Sequence, residues 1–554
     1  MAGCGRLFAL LRGFMTTTTL VSNDSEISRR RTLAIISHPD AGKTTLTEKL
    51  LLYGGAIHLA GSVKQRKAER QTTSDWMELE KQRGISISTS VLQFDFEGWR
   101  VNLLDTPGHN DFSEDTYRTL SAADSAIMLI DRVKGVEPQT IKLFQVCRQR
   151  GIPILTFVNK MDRNGLEPIE VLDEIERVLG IPCYAMNWPL GTGTSFAGVY
   201  DRELGSVLRF HKGGGGSTRI PVEEIPLDSP SLAKTVGDSA VSRVKEELEL
   251  LDGASVPWDH QSFMAGQLTP VFFGSALSNF GVEPFLRSVV KMASPPRPRP
   301  AVGGMWPHDA RHFSAFVFKI QANMDARHRD RIAFARICSG YYHPELTVTH
   351  QRSGKPLALS KVYHFFARDR VQVKEAWSGD VVGLWDPGIL RIGDTLYDGP
   401  EVEFDGIPRF SPEHFVRIRF ADAMRRKQLI QGLEQLAEEG AVQLFQDRRG
   451  LERFPVLGAV GVLQFDVTKF RLKEEYGADV QFEMLPYQYA RWIEGDVSLD
   501  ELCMRGDGTW VYDIEKRPLV LFKTEWNMRR AKETYPNVKF LEAVQPGRSS
   551  RASR

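Results

Sequence analysis

Thr32-Leu33-Ala34-Ile35-Ile36-Ser37-His38-Pro39-Asp40-Ala41-Gly42-Lys43-Thr44-Thr45 is the stretch that decides how this chain is read. Its first six residues form an apolar run of strand length, and the spacing predicts a turn and then a helix starting near Lys43. Residues 37–44 match G-x-x-x-x-G-K-[ST] at every defined position except the first, where Ser37 replaces Gly. Between a strand and a helix, Ser37, His38, Pro39, Asp40, Ala41, Gly42 and Thr45 make a loop whose backbone N–H groups cradle phosphates. Lys43 then reaches the β- and γ-phosphates, and the Thr44 hydroxyl ligates Mg2+. By itself the loop says nucleoside triphosphate.

Residues 101–104, 126–130 and 154–158 are further short apolar strands separated by helical or loop stretches, the pattern of a doubly wound parallel α/β sheet. Asp105-Thr106-Pro107-Gly108-His109 closes the first of them. An Asp at a strand end beside the phosphate loop is placed to hold Mg2+ through water. Gly108 can give its N–H to the γ-phosphate and act as a hinge. His109 reads either as a surface loop residue or, from its place after that sensor, as the group that positions the attacking water.

Asn159-Lys160-Met161-Asp162 follows the strand at 154–158. The Asp162 carboxylate can accept from guanine N1–H and N2–H2, a donor pair that adenine lacks. Asn159 braces the base and the loop, and the Lys160 stem covers the ring. Ser275-Ala276-Leu277, after the apolar strand at 271–273, supplies the last element, with the Ala276 N–H near guanine O6. Together these favour GTP and GDP over ATP. Ser86, in Arg83-Gly84-Ile85-Ser86, lies where a switch loop carries a hydroxyl for Mg2+; the alternative is an ordinary polar loop.

The remaining composition sets the frame. The 554 residues suggest three or four domains. Lys and Arg minus Asp and Glu is 71 − 70 = +1, so bulk charge does not drive the chain onto DNA or an anionic membrane. Five scattered cysteines have the look of reduced thiols in a cytoplasmic protein, buried as small hydrophobes. No apolar run approaches the roughly 18 residues that span a bilayer. Residues 1–14 are weakly basic with a short apolar stretch at 7–11, less than the roughly 7–15 residues of a secretory signal core. A true start at Met15 and an organelle transit peptide both remain open readings, and residues 1–25 are expected to be an N-terminal extension.

A nucleotide-binding domain is expected over residues 26–296, with an insertion near 190–265 where prolines and Gly213 to Gly216 break the pattern. The proline-rich run at 294–300 is a stiff linker. Short strands at 316–320, 331–337, 345–349, 357–362 and 381–385, punctuated by Gly340, Gly354, Gly379, Gly388, Gly393 and Gly399, predict a β-barrel domain over 297–408. From 409 to 554 the texture is α+β, ending in a basic tail. Leu429, Ile430, Leu433, Leu436 and Ala437 form a helical stripe ended by Gly440, and residues 456–467 read as a strand running into a helix at 468–476.

The segments at 83–87, 105–109 and 159–162 mark the chain as similar to translational GTPases. Narrower matches resemble the bacterial peptide chain release factor 3 family. They are Ser74-Asp-Trp-Met-Glu78, Glu114-Asp-Thr-Tyr-Arg-Thr-Leu120, Phe318-Lys-Ile-Gln-Ala-Asn-Met-Asp325 and Gly458-Ala-Val-Gly-Val-Leu-Gln-Phe-Asp-Val467. The resemblance covers residues 26 to 541. It implies a monomeric, cytoplasmic, ribosome-stimulated GTPase of translation termination that promotes release of the codon-reading class I release factors, with His109 and Lys43 as catalytic residues. The rival readings are another ribosome-associated translational GTPase, or a nucleotide-gated ribosome-binding protein with little turnover. No Gly-Gly-Gln tripeptide occurs, which disfavours direct peptide release. Basic clusters at 29–31, 64–70, 327–331 and 425–427 are candidate ribosome contacts, each weighed against a solvated face.

Overall fold

The computed structural model describes residues 23–57, 80, 86–211, 218–322, 331–366, 369–420, 423–446, 455–503 and 508–545. The first domain is built on a mixed sheet. Its strands are β1 (Arg30–Ser37), β2 (Ser90–Phe96), β3 (Trp99–Asp105), β4 (Ser125–Asp131), β5 (Ile154–Asn159), β6 (Cys183–Ala185) and β7 (Thr269–Phe273), in the order β2-β3-β1-β4-β5-β7-β6. All pair in parallel except β2, which runs antiparallel to β3. Every residue of β1, β4, β5 and β7 is buried, the continuous burial expected of parallel strands covered on both faces. The covering helices are α1 (Lys43–Tyr53), α2 (Ser113–Leu120), α3 (Pro138–Gln149), α4 (Pro168–Leu179) and α5 (Val282–Met292). A capping box between Glu167 and Glu170, with Pro168 in the first turn, starts α4.

Between β6 and β7 the chain does not simply loop out. It forms a four-stranded antiparallel meander (Asn187–Leu190, Gly198–Asp201, Ser206–Phe210, Val222–Pro226) followed by helices. These strands are four or five residues long and carry prolines, so their alternation is too brief to read as a pattern.

The barrel includes β8 (Ser314–Ala322), β9 (Arg331–Ser339), β10 (Val362–Phe366) and β11 (Val381–Trp385), with further strands at Thr347–His350, Lys355–Ala358 and Thr395–Tyr397. The glycines at 340, 354, 379, 388, 393 and 399 all adopt positive φ, as tight turns between short strands require. The single strand expected at 357–362 is a correction: Lys355–Ala358 ends before Leu359, and β10 begins anew at Val362. The break comes where Leu359 N–H donates to Leu346 O at 3.0 Å. An antiparallel pair, Phe366 with Leu92, makes the barrel sheet continuous with β2.

The C-terminal domain is one eight-stranded antiparallel sheet made of two copies of the same topology. The first copy is β12 (His414–Arg419), α6 (Arg426–Glu438), β13 (Gln443–Gln446), β14 (Val456–Ala459), α7 (Leu463–Tyr476) and β15 (Gln481–Met484). The second is β16 (Tyr489–Glu494), α8 (Leu499–Cys503), β17 (Gly508–Asp513), β18 (Pro518–Phe522), α9 (Glu525–Thr534) and β19 (Lys539–Leu541). The sheet order is β15-β12-β14-β13-β17-β18-β16-β19, so each half is a split β-α-β unit with its strands ordered 4-1-3-2. The halves join edge to edge through Phe445 with Asp513 and Gln446 with Tyr512. Helix α7 starts at Leu463, five residues earlier than the spacing suggested. The Gln464 side-chain oxygen accepts the N–H groups of Val460 and Gly461, at 2.9 and 3.2 Å, and turns the chain there. Cys147, Cys183 and Cys338 are buried thiols, and burial pushes Cys147 up to about 12. Among the described residues no helix is long and apolar enough to cross a membrane.

Candidate functional site

Parallel pairing assembles the site. β1 lies between β3 and β4, with Ile35 level with Asp105 and Ser37 level with Leu129; Asp131 is level with Asn159, and Phe273 with Val158. The ends of β1, β3, β4, β5 and β7 therefore open on one edge, the carboxyl edge where open α/β sheets bind ligands. The loops at 37–45, 105–109, 159–162 and 275–277, far apart in the chain, become neighbours there.

In the phosphate loop Asp40 and Gly42 both take left-handed backbone angles, φ 67° and 98°. A Cβ on Gly42 would lie 2.4 Å from Asn159 Nδ2, so no other residue fits. Lys43 is buried and its Nζ lies 2.5 Å from Asp105 Oδ1 and 3.5 Å from Ser86 Oγ. Ser86 Oγ is in turn 3.4 Å from Thr44 Oγ1. Thr106 donates to Ile35 O at 2.6 Å and ties β3's end to β1. The Ser37 hydroxyl is buried without a partner among the described residues. A Cβ on Gly108 would stand 3.5 Å from Pro39, so this glycine faces the phosphate loop across open contact distance. These donors suit a triphosphate and one hard cation. Among the described residues no trio of His, Cys, Asp or Glu could hold a metal alone, so Thr44, Ser86 and Asp105 would share it with phosphate oxygens and water.

At the base end Asn159 bridges two loops: its Nδ2 donates to Ala41 O at 2.8 Å, and its Oδ1 accepts the Ala276 N–H at 2.9 Å. That N–H, read from sequence as aimed at guanine O6, is thus engaged by Asn159 in this structure. Asp162 Oδ1 accepts from Ser275 Oγ at 2.6 Å, which orients the carboxylate. Lys160 spans the phosphate loop, donating to Asp40 O and to Asp131 Oδ2, both at 2.6 Å. Met161 is buried, and Leu277 is exposed. His38 pairs with Glu137 at 3.0 Å.

His109 begins a short 3-10 turn (Asn110–Phe112). Its Nδ1 accepts the Asp111 N–H at 3.3 Å and lies 3.2 Å from Asp111 Oδ1. The other oxygen of Asp111 accepts the Leu463 N–H at 2.8 Å, capping α7 of the C-terminal domain. Ile87, Phe112 and Val467 pack into one small apolar cluster over this contact.

Sequence reasoning missed Asp131 and Arg132, which hold residues 160–166 from behind, and Asp111. The only signal was polar residues directly after a buried strand. In two of the basic clusters the described members include buried arginines. Arg30 and Arg31 are buried: Arg30 pairs with Asp380 at 2.8 Å, and Arg31 donates to Val290 O at 2.9 Å. Arg331 pairs with Asp386 at 2.8 Å and with Glu438 of the C-terminal domain. Arg30, Arg31 and Arg331 are thus engaged inside the protein, while Arg29 keeps a partly exposed side chain. Residues 64–70, 74–78, 83–85, 213–216, 323–330 and 547–554 lie outside the described residues.

Comparisons with known proteins agree across the chain. Residues 28–295 match the elongation factor Tu GTP binding domain, residues 312–399 elongation factor G domain 2, and residues 404–532 the C-terminal domain of the class II release factor RF3. Proteins named peptide chain release factor 3 are 56% identical in Symbiobacterium thermophilum (94% of this chain, 98% of that protein) and 51% identical in Gloeobacter violaceus (95% and 99%). A solved structure, the crystal structure of ttk003000868 from Thermus thermophilus, superposes with a TM-score of 0.67 at 25% identity, covering 85% of this chain and 71% of that one. This chain belongs to the peptide chain release factor 3 family, ribosome-dependent GTPases of translation termination.

Proposed function

We propose that the cleft at the carboxyl edge of the sheet binds GTP and Mg2+, and that the chain uses hydrolysis to dismiss a codon-reading class I release factor from the ribosome. The convergence of Lys43, Thr44, Ser86 and Asp105 at one end, with Asp162 held by Ser275 at the other, carries this reading. Lys43 stabilises charge on the transferring phosphate, and the helix N-terminus behind it adds backbone N–H donors. Thr44, Ser86 and Asp105 would hold Mg2+, which would supply charge neutralisation for the phosphates. His109 orients the attacking water once its ring turns from Asp111 toward the phosphate, and ribosomal RNA supplies the push. Phosphoryl transfer rests mainly on positioning and charge stabilisation, which lets a partner complete the site. The chain acts as a cytoplasmic monomer, its domains running over 26–296, 297–408 and 409–554.

The test is GTP turnover with and without ribosomes carrying a bound codon-reading release factor. Stimulation that His109→Ala abolishes, with GTP binding retained, supports the reading. Equal turnover in both conditions would favour a nucleotide-gated binding protein instead. Asp162→Asn should move base preference from guanine toward xanthine; unchanged guanine affinity would remove Asp162 as the base reader.

A further inference from the structure

Behind the base-reading loop sits a buried cation that the nucleotide chemistry above does not use. Arg132, the first residue after β4, is 1% exposed. Its Nε donates to Leu166 O at 2.6 Å, its Nη1 to Arg163 O at 2.7 Å and to Met161 O at 3.5 Å, and its Nη2 to Gly165 O at 3.4 Å. One planar guanidinium thus gathers four carbonyls from residues 161–166, the segment that carries Asp162. The backbone joins in: Arg132 N–H donates to Asn159 O at 3.1 Å, and Leu166 N–H to Arg132 O at 3.2 Å. A Cβ on Gly165 would lie 2.8 Å from Arg132 O, so the loop approaches this closely only because residue 165 is glycine. Glu167 stands 3.9 Å from the guanidinium, with its side chain 46% exposed. The buried charge is therefore met mainly by carbonyl dipoles, a costly arrangement to keep without a return in function.

The loop needs such a tie. Lys160 adopts φ +69°, a left-handed conformation that a side chain resists. A carboxylate that must meet two base donors at once has to be held to about 0.5 Å. Asp131, the neighbour of Arg132, holds the Lys160 side chain from the same strand end. We infer that Arg132 is a positioning residue for guanine selection: it fixes the backbone of residues 161–166 so that the Asp162 carboxylate meets both donors of the base. The inference rests on Asp162 being the base reader.

The experiment measures equilibrium binding of GDP and of inosine diphosphate, which lacks the 2-amino group, to the full chain and its variants. Arg132→Ala should weaken GDP binding by about 10- to 100-fold, the scale of carbonyls left without their donor. Inosine diphosphate should lose less, so the preference for GDP over it shrinks. Millimolar guanidinium chloride, but not equal sodium chloride, should restore part of that preference. Arg132→Lys, which keeps the charge but not the fork, should fall between and serves if the alanine variant does not fold. Equal weakening of both nucleotides, or an unchanged preference in the lysine variant together with no guanidinium effect, would overturn the role. Asp162→Asn with xanthosine diphosphate tests the base reader itself: an unchanged guanine preference there sinks that reading, whatever Arg132 does.

Discussion

Arg30 and Asp111 each carry a contact out of the nucleotide-binding domain, and the two contacts are unlike. Arg30 meets Asp380 of the barrel at 2.8 Å with both side chains at 5% exposure or less. Around it Arg336 pairs with Asp124 at 2.5 Å, and Arg299 donates to Ser121 O at 2.7 Å while stacking 3.8 Å over Phe316. One apolar cluster runs unbroken from Ala34 and Ile36 in β1 to Phe316 and Phe334 in the barrel. Asp111 meets the C-terminal domain through a helix cap, aided by Arg118 donating to Gly440 O at 3.1 Å and by Gln443 donating to Glu114 at 3.1 Å. Among the described residues its apolar backing is three buried side chains with Leu463 and Phe470 partly buried against them.

Position along β1 explains the contrast. Arg30 stands at its start and the phosphate loop at its end, about 23 Å apart at 3.3 Å per residue. The barrel is anchored far from the phosphates, whereas the C-terminal domain rests on the residues that flank His109 and Ser86. On the proposed reading, a shift driven at the γ-phosphate would bear first on the polar contact, which exchanges with water at low cost, and not on the dry one. Lys319 of β8 is one exception, reaching Thr89 O at 2.6 Å where all three domains meet. Burial would raise the Asp115 carboxyl there, but Lys319 and Thr89 outweigh it and hold it below its ordinary range.

The comparison can be broken from either side. The largest effect is expected for Arg30→Ala, which leaves the buried Asp380 carboxylate without its counter-charge, held by the Trp377 N–H and the Gln93 and Asn102 amides. It should cost about 3–5 kcal/mol in denaturant unfolding, part of it recovered by Asp380→Asn. A loss below about 1 kcal/mol would mean the seam is held by apolar packing alone. Next comes Gly461→Ala, whose Cβ would lie 2.0 Å from Asp111 Cγ. It should loosen C-terminal docking by about 1–3 kcal/mol, read as faster hydrogen exchange in α7 with the β1 core still protected. Asp111→Asn removes the charge from the helix end and should cost about 0.5–1 kcal/mol by the same measure. The smallest is a pH effect at the dry seam. Burial drives His364 down to about 4 from 6.5, so the unfolded chain binds its proton first. Stability should fall as pH drops from 6.5 toward 4, by about 2 °C in melting temperature because the ring is only partly buried, and His364→Phe should flatten that slope.

Much of the site was legible because its residues sit in short runs at strand ends. Backbone geometry there is local: Ser37 to Thr45 must turn from strand to helix whatever the rest of the chain does, and glycine at 42 marks where. The doubled topology of the C-terminal domain was not legible, since two β-α-β halves share strand order without sharing residues. The start of α7 was missed because Gln464 caps from inside the helix.

The sequence by itself determined the motif residues proposed to carry the nucleotide chemistry, Lys43, Thr44, Asp105, Asn159 and Asp162 in order. Only the tertiary structure decided what holds those residues and what they lean on. Arg132 reaches a loop some thirty residues away, Arg30 a carboxylate 350 residues away, and Asp111 a helix 352 residues away. Such partners are set by which strands lie side by side and which domains dock, and no spacing along the chain encodes that.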